Sequence, residues 1–185
     1  MKLLIASDIH GDFSAASAVV EAFERSGADR LVLLGDILYH GPRNDLPADY
    51  APKKVIELLN SVKERILAVR GNCDTEVDQM VLDFPILAEY AFIECNGLRM
   101  FVTHGHKYNT NNPPHLMRGD ILLHGHTHVS AFEKFGNDNV YVNSGSISIP
   151  KENTPQSYVI YRSENGKHIF DFMSLDGRLY MQRIL

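Results

Sequence analysis

Five short apolar runs in this chain each end in a polar cluster, and this repetition constrains the fold more than any other feature. Leu3 to Ala6 leads into Asp8-Ile9-His10-Gly11, and Leu31 to Leu34 into Gly35-Asp36. Ile66 to Val69 leads into Gly71-Asn72-Cys73-Asp74, Met100 to Val102 into Thr103-His104-Gly105-His106, and Leu122-Leu123 into His124-Gly125-His126-Thr127-His128. Runs of this length read as buried strands. In an α/β sheet the loops beyond the carboxyl ends of strands meet in one crevice. Polar side chains repeated at those ends therefore predict a single site assembled from distant segments.

The first half alternates strand-like and helix-like segments, the pattern of βαβ units around a parallel sheet. Phe13 to Arg25 places Ala16, Val19, Val20 and Phe23 on one helical face, and Gly27 stops that helix. Pro52 opens a second helix, where its missing amide hydrogen costs nothing, with Val55, Ile56, Leu58, Leu59 and Val62 as its apolar stripe. The intervening loop, Tyr39 to Ala51, is longer than a simple connection needs, and such loops often border binding sites. After Pro85 the chain turns to hairpins. Tyr90 to Cys95 and Leu98 to Val102 flank Asn96-Gly97, Ala131 to Phe135 precedes Val140 to Val142, and Tyr158 to Arg162 precedes His168 to Ser174. Asn-Gly is a strong hairpin signal. Arg178 to Leu185 reads as an edge strand or a short terminal segment. The expected architecture is an α/β, four-layer αββα sandwich: two mixed β-sheets flanked by helices, in one domain over residues 1–185.

With 185 residues, 44% of them hydrophobic, the chain can bury a substantial core. Its formal charge of -5 and the absence of a basic run disfavour a large nucleic-acid footprint. No apolar stretch approaches membrane-spanning length and no signal-peptide core precedes Asp8. The expectation is a cytoplasmic protein without membrane contact. Cys73 and Cys95 form no disulfide framework or Cys-rich zinc spacing and read as free thiols.

The donors at the five strand ends are Asp8, His10, Asp36, Asn72, His104, His126 and His128. They are too many for one ion and suit two ions sharing a carboxylate, for which Asp36 is the candidate. A mixture of imidazole, carboxylate and amide suits manganese, iron, zinc, cobalt or nickel better than calcium or a thiolate-seeking ion. Manganese is the favoured pair of ions.

The order Asp-x-His, Gly-Asp, Gly-Asn-x-Asp, His-Gly-His, Gly-His-x-His resembles the calcineurin-like metallophosphoesterase family, and the chain length resembles its small single-domain bacterial phosphodiesterases. The motifs span Asp8 to His128; beyond them only Asn143-Ser144-Gly145-Ser146 resembles a family turn. The resemblance implies the αββα fold. It assigns Asp8, His10 and His128 to one metal, Asn72, His104 and His126 to the other, and Asp36 to both. It implies a phosphodiesterase in which a hydroxide bridging a dinuclear centre attacks phosphorus.

Two divalent ions, two carboxylates and one hydroxide leave one net positive charge, which complements a phosphodiester monoanion. The substrate expected is a small phosphodiester. Many family members carry histidine after the loop asparagine, where it helps protonate the leaving oxygen; here that residue is Cys73. A thiol with an ordinary pKa near 8.5 substitutes poorly for an imidazole, which predicts slow turnover and a preference for activated leaving groups. His106, alternating with His104, or His124 could stand in as the acid. Asp36, Asn72, Cys73 and His106 are the expected catalytic residues. His124 otherwise reads as structural, Asp74 as a hydrogen-bonding partner of a histidine or loop amide, and His40, Arg43 and Arg70, which could contact phosphate oxygens, as surface or loop-packing residues. Three alternatives stand beside this reading: a phosphomonoesterase, a nucleotide hydrolase, or a scaffold that kept the fold, as in a trafficking subunit related to this group. A homo-oligomer formed through exposed strands of the second sheet is left open.

Overall fold

The computed structural model describes residues 1–185. Its first half is two successive crossovers: β1 (Lys2–Ala6), α1 (Phe13–Ser26), β2 (Arg30–Leu33), α2 (Pro52–Ser61) and β3 (Ile66–Ala68). β1, β2 and β3 pair in parallel. α1 starts at Asp12, whose carboxylate accepts the Ala15 amide hydrogen at 3.0 Å, and ends at Gly27, which takes the left-handed conformation (φ 63°) of a helix cap. Ala16, Val19, Val20 and Phe23 are all buried, as their spacing requires. Loop 39–51 is pinned to the first strand end, where Gly11 accepts the Ala51 amide through its carbonyl.

The remaining strands are β4 (Tyr90–Cys95), β5 (Leu98–Thr103), β6 (Ile121–Leu123), β7 (Ser130–Phe135), β8 (Asn139–Ser144), β9 (Ser157–Glu164), β10 (Lys167–Ser174) and β11 (Leu179–Ile184). They complete two mixed sheets. The first has the order β11-β10-β9-β1-β2-β3 and the second β4-β5-β6-β8-β7. The last run is the edge strand of the first sheet. A helical turn at Glu76–Gln79 (α3), held by a Thr75–Asp78 capping box, is an element that periodicity did not signal.

Strand alternation divides the apolar residues between two cores. Leu3, Ile5, Val159, Tyr161, Phe170 and Phe172 of the first sheet meet Met100, Val102, Ile121, Leu123, Val140 and Val142 of the second. Leu4, Ala6, Leu31 and Leu33 point the other way, against Val19, Phe23, Val55 and Leu59 of the two long helices. Strands buried on both faces read as unbroken apolar runs, which is how they look in the sequence. On the outer face of the second sheet, Tyr108 of the 104–120 segment meets Phe101 edge-on at 5.6 Å, beside Tyr90 of β4, which stacks on Phe101 at 5.0 Å. No helix is long and apolar enough to cross a membrane.

Candidate metal centre

The loops after β1, β2 and β3 leave the first sheet at the same edge as those after β5 and β6 leave the second, so all five polar clusters meet. The join is direct: the His126 amide donates to Asp8 Oδ2 at 3.0 Å across the two sheets. Asp8, His10, Asp36, His126 and His128 all have left-handed backbones, with φ of 57°, 49°, 55°, 67° and 63°. Such a conformation costs a non-glycine residue on the order of 1 kcal/mol and persists where surrounding structure enforces it, commonly at a functional site.

Two glycines allow the close approach behind this geometry. A Cβ on Gly35 would lie 2.4 Å from the Gly71 nitrogen, and a Cβ on Gly71 would lie 2.1 Å from Asp36 Oδ1. Asp74 ties the same corner together. Its buried carboxylate accepts the amide hydrogens of Asp36, Ile37 and Gly71 at 2.9, 2.8 and 2.7 Å. The loop-amide role expected for Asp74 is therefore the one it occupies.

Three imidazoles are aimed by backbone carbonyls. His10, His104 and His128 donate from Nδ1 to the carbonyl oxygens of Tyr39, Leu34 and Ile149 at 2.8, 2.7 and 2.7 Å. In the neutral ring each Nε2 is thereby a lone pair directed inward, the arrangement that commonly orients metal-bound histidines. His10 and His128 bring their Nε2 atoms to 3.3 Å of one another, and these lie 3.7 and 3.3 Å from Asp8 Oδ1. That oxygen is buried and has no hydrogen-bond donor. Around His104, Nε2 lies 3.0 Å from Asn72 Oδ1, 3.1 Å from His126 Nδ1 and 3.4 Å from Asp36 Oδ2. Asp36 Oδ2 is also 3.8 Å from His10 Nε2, so one oxygen faces both groups, while Oδ1 accepts the Cys73 amide at 2.8 Å.

The seven side chains singled out in the sequence thus form two adjoining sets of lone pairs. A buried carboxylate oxygen among converging imidazole nitrogens, with no donor, fits a divalent cation.

The electrostatics show how tightly these groups interact without a cation. Burial alone raises the Asp8 carboxyl, but His128 and the surrounding imidazoles more than reverse it and hold Asp8 well below the usual carboxylate range. Burial lowers His104, yet the Asp36 hydrogen bond and the two carboxylates bring it to about 9. Burial and the nearby His104 push His126 down to about 4. Burial first, and then the Asp36 charge, push the Cys73 thiol up, so it is protonated at neutral pH and weakly acidic.

The other sequence candidates divide. His106 sits half-buried beside the set, its ring 5.4 Å from His104 and 6.2 Å from His126. His124 stacks on Tyr141 at 4.4 Å, outside the donor set, in the structural position expected for it. Cys73 lies at the cavity wall, with Sγ accepting from Asn72 Nδ2 at 3.2 Å. Arg70 is occupied by Glu76 and the Asp74 carbonyl. Arg43 is exposed, as expected, and with Lys151 it lines a cavity of about 400 Å³ that also contains Asp36, Asn72, His126 and His128. Neither Arg43 nor Lys151 has a carboxylate partner, and no local motif marked them. Ser146, of the turn that resembles the family's, and Ser148, which no sequence signal marked, support this site from below. Their hydroxyls donate to the Asp8 carbonyl at 2.9 and 2.8 Å and steady its left-handed turn.

Comparison with known proteins agrees with this geometry. Residues 1–166 match the model of the calcineurin-like phosphoesterase superfamily domain. Phosphodiesterase YfcE of Escherichia coli K12 is 52% identical over 158 residues, 85% of this chain and 85% of that protein. A solved structure of the E. coli phosphoesterase YfcE superposes with a TM-score of 0.93 at 46% identity, covering 99% of this chain and 98% of that one. The fold also matches Vps29 of Entamoeba histolytica in complex with zinc, with a TM-score of 0.60 at 16% identity over 100% and 98% of the two chains. The chain belongs to the calcineurin-like phosphoesterase superfamily and is a hydrolase of phosphate esters.

Proposed function

We propose that the protein is a metal-dependent phosphodiesterase acting on small phosphodiesters at a dinuclear centre. The observation that carries this reading is Asp36 Oδ2, placed 3.8 Å from His10 Nε2 and 3.4 Å from His104 Nε2. This oxygen lies within 4 Å of an imidazole nitrogen from each donor set. Asp8, His10 and His128 would hold one ion and Asn72, His104 and His126 the other, with Asp36 shared between them. Divalent ions held there, manganese being one that mixed nitrogen and oxygen donors suit, would supply Lewis acidity: activation of water toward phosphorus and neutralisation of charge on the phosphate oxygens.

The protein's own groups do the positioning. Arg43 and Lys151 bring unpaired positive charge to the cavity and draw the phosphate anion toward Asn72 and His126. The carbonyls of Tyr39, Leu34 and Ile149 keep three imidazoles in one tautomer. Cys73 and His106 stand where a proton can be held for the leaving oxygen. With a thiol beside Asn72, that proton is delivered poorly, and esters with activated leaving groups are preferred. The 52% identity to a protein named a phosphodiesterase supports diesters over monoesters. We place the chain in the cytoplasm, where its two buried free thiols stay reduced.

The test is Asp36→Asn. The variant should lose metal affinity and turnover together, because one oxygen serves both ions. Full activity in that variant would rule out the shared carboxylate.

A further inference from the structure

Cys73 lines a second cavity as well as the polar one. This cavity has a volume of about 340 Å³, and Tyr39, Tyr50, Ile56, Val77 and Val81 form its walls beside Cys73. Seven of its eleven lining residues are hydrophobic. Folding leaves much of this apolar surface in water: Val77 is 69% exposed, and Tyr39 and Val81 are each 42% exposed. The Asp78 carboxylate at its edge is already occupied, accepting from the Thr75 amide and hydroxyl at 2.7 and 2.8 Å. The aromatic wall is built rather than loose. Tyr39 meets His40 edge-on at 4.7 Å, and His40 meets Tyr50 at 5.4 Å. It is also attached to the candidate metal centre, because the Tyr39 carbonyl is the oxygen that aims His10.

We propose that this cavity receives an apolar, ring-sized organic group on one ester arm of the substrate, and that it selects diesters carrying such a group. The inference rests on the phosphodiesterase reading above. A diester has two arms leaving phosphorus. With phosphorus held among Asp36, Asn72, His126 and His128, an arm that runs past Cys73 leaves the polar cavity and enters the apolar one. Cys73 belongs to the lining of both cavities, and this adjacency is what assigns the surface to substrate. The volume lies in the range of small-molecule sites, about 300 to 1,000 Å³. A dry cavity of about 150 Å³ already holds benzene, so an aryl group with short substituents fits here.

The test compares methylphosphonate with phenylphosphonate on the manganese-loaded protein by titration calorimetry. The two ligands share the anionic group and differ only in the ring. Phenylphosphonate should bind about tenfold more tightly, the low end of what burying an aromatic group contributes. A Val77→Asp, Val81→Asp double variant should reduce that ratio to within about twofold, with the loss falling on phenylphosphonate. Equal affinities in the unaltered protein overturn the proposal, as does a variant that weakens both ligands in proportion. A valine pair whose replacement leaves the ratio intact but splits an oligomer in light scattering makes the surface an interface and overturns it too. Failure of both phosphonates to bind removes the phosphate reading beneath it, an outcome distinct from equal binding.

Discussion

Gly71→Ala is the substitution for which the structure allows the most quantitative expectation. The added methyl group would lie 2.1 Å from Asp36 Oδ1 and 2.3 Å from the Asp36 nitrogen, whereas ordinary contact begins near 3.4 Å. Something must therefore retreat by more than about 1 Å. The Asp36 amide cannot do so easily, being held to Asp74 at 2.9 Å, and Asp74 also grips Gly71 at 2.7 Å. The strain falls on the carboxylate shared by the two donor sets. Overpacking of this kind costs about 1 to 3 kcal/mol of stability, and a displacement of about 1 Å at a reacting centre can cost about 100-fold in rate. We expect a kcat/KM on bis-(p-nitrophenyl) phosphate reduced about 100-fold, weaker manganese binding in calorimetry, and a smaller loss in urea unfolding. A variant within threefold of the parent rate, with full metal affinity, would refute the packing argument at this corner.

Two further substitutions probe separate parts of the molecule. Cys73→His should raise kcat at least about tenfold on diesters with poor leaving groups, since a positioned general acid is worth about 100-fold or more, and change p-nitrophenyl esters little. Equal effects on both would remove the proton-delivery account. Phe170→Ala, at a wholly buried position between the sheets, should cost about 3 to 5 kcal/mol in urea unfolding; a loss below about 1 kcal/mol would mean that the two sheets do not share one packed core.

The parts of the fold that were legible in the sequence are those set by local chemistry. Phe13 to Ser26 carries its own helical spacing and its Gly27 stop, and Asn96-Gly97 marks its own hairpin. The candidate donors were legible for a related reason, because each follows an apolar run and so announces its strand end. What escaped depends on contacts across long stretches of chain. Arg43 and Lys151 are separated by more than a hundred residues and share a cavity only because loop 39–51 folds back onto the first strand end. Ser146 and Ser148 resemble ordinary turn residues until the fold places them under the Asp8 carbonyl. Asn111-Asn112-Pro113-Pro114 favours turns, so the segment beside the second sheet is irregular, and there Tyr108 packs edge-on against Phe101. α3 is one turn long and held by a capping box, too short to show a period.

The central claim, a two-ion centre that cleaves diesters, is tested most directly by adding manganese in steps to chelator-stripped protein. Bound metal would be counted by calorimetry, and hydrolysis of a bis-aryl phosphate and its mono-aryl counterpart would be followed alongside. The account predicts two equivalents bound, with diester cleavage restored by metal and faster than monoester cleavage. Two equivalents bound without cleavage of either ester would contradict it and leave a scaffold that has kept its donors.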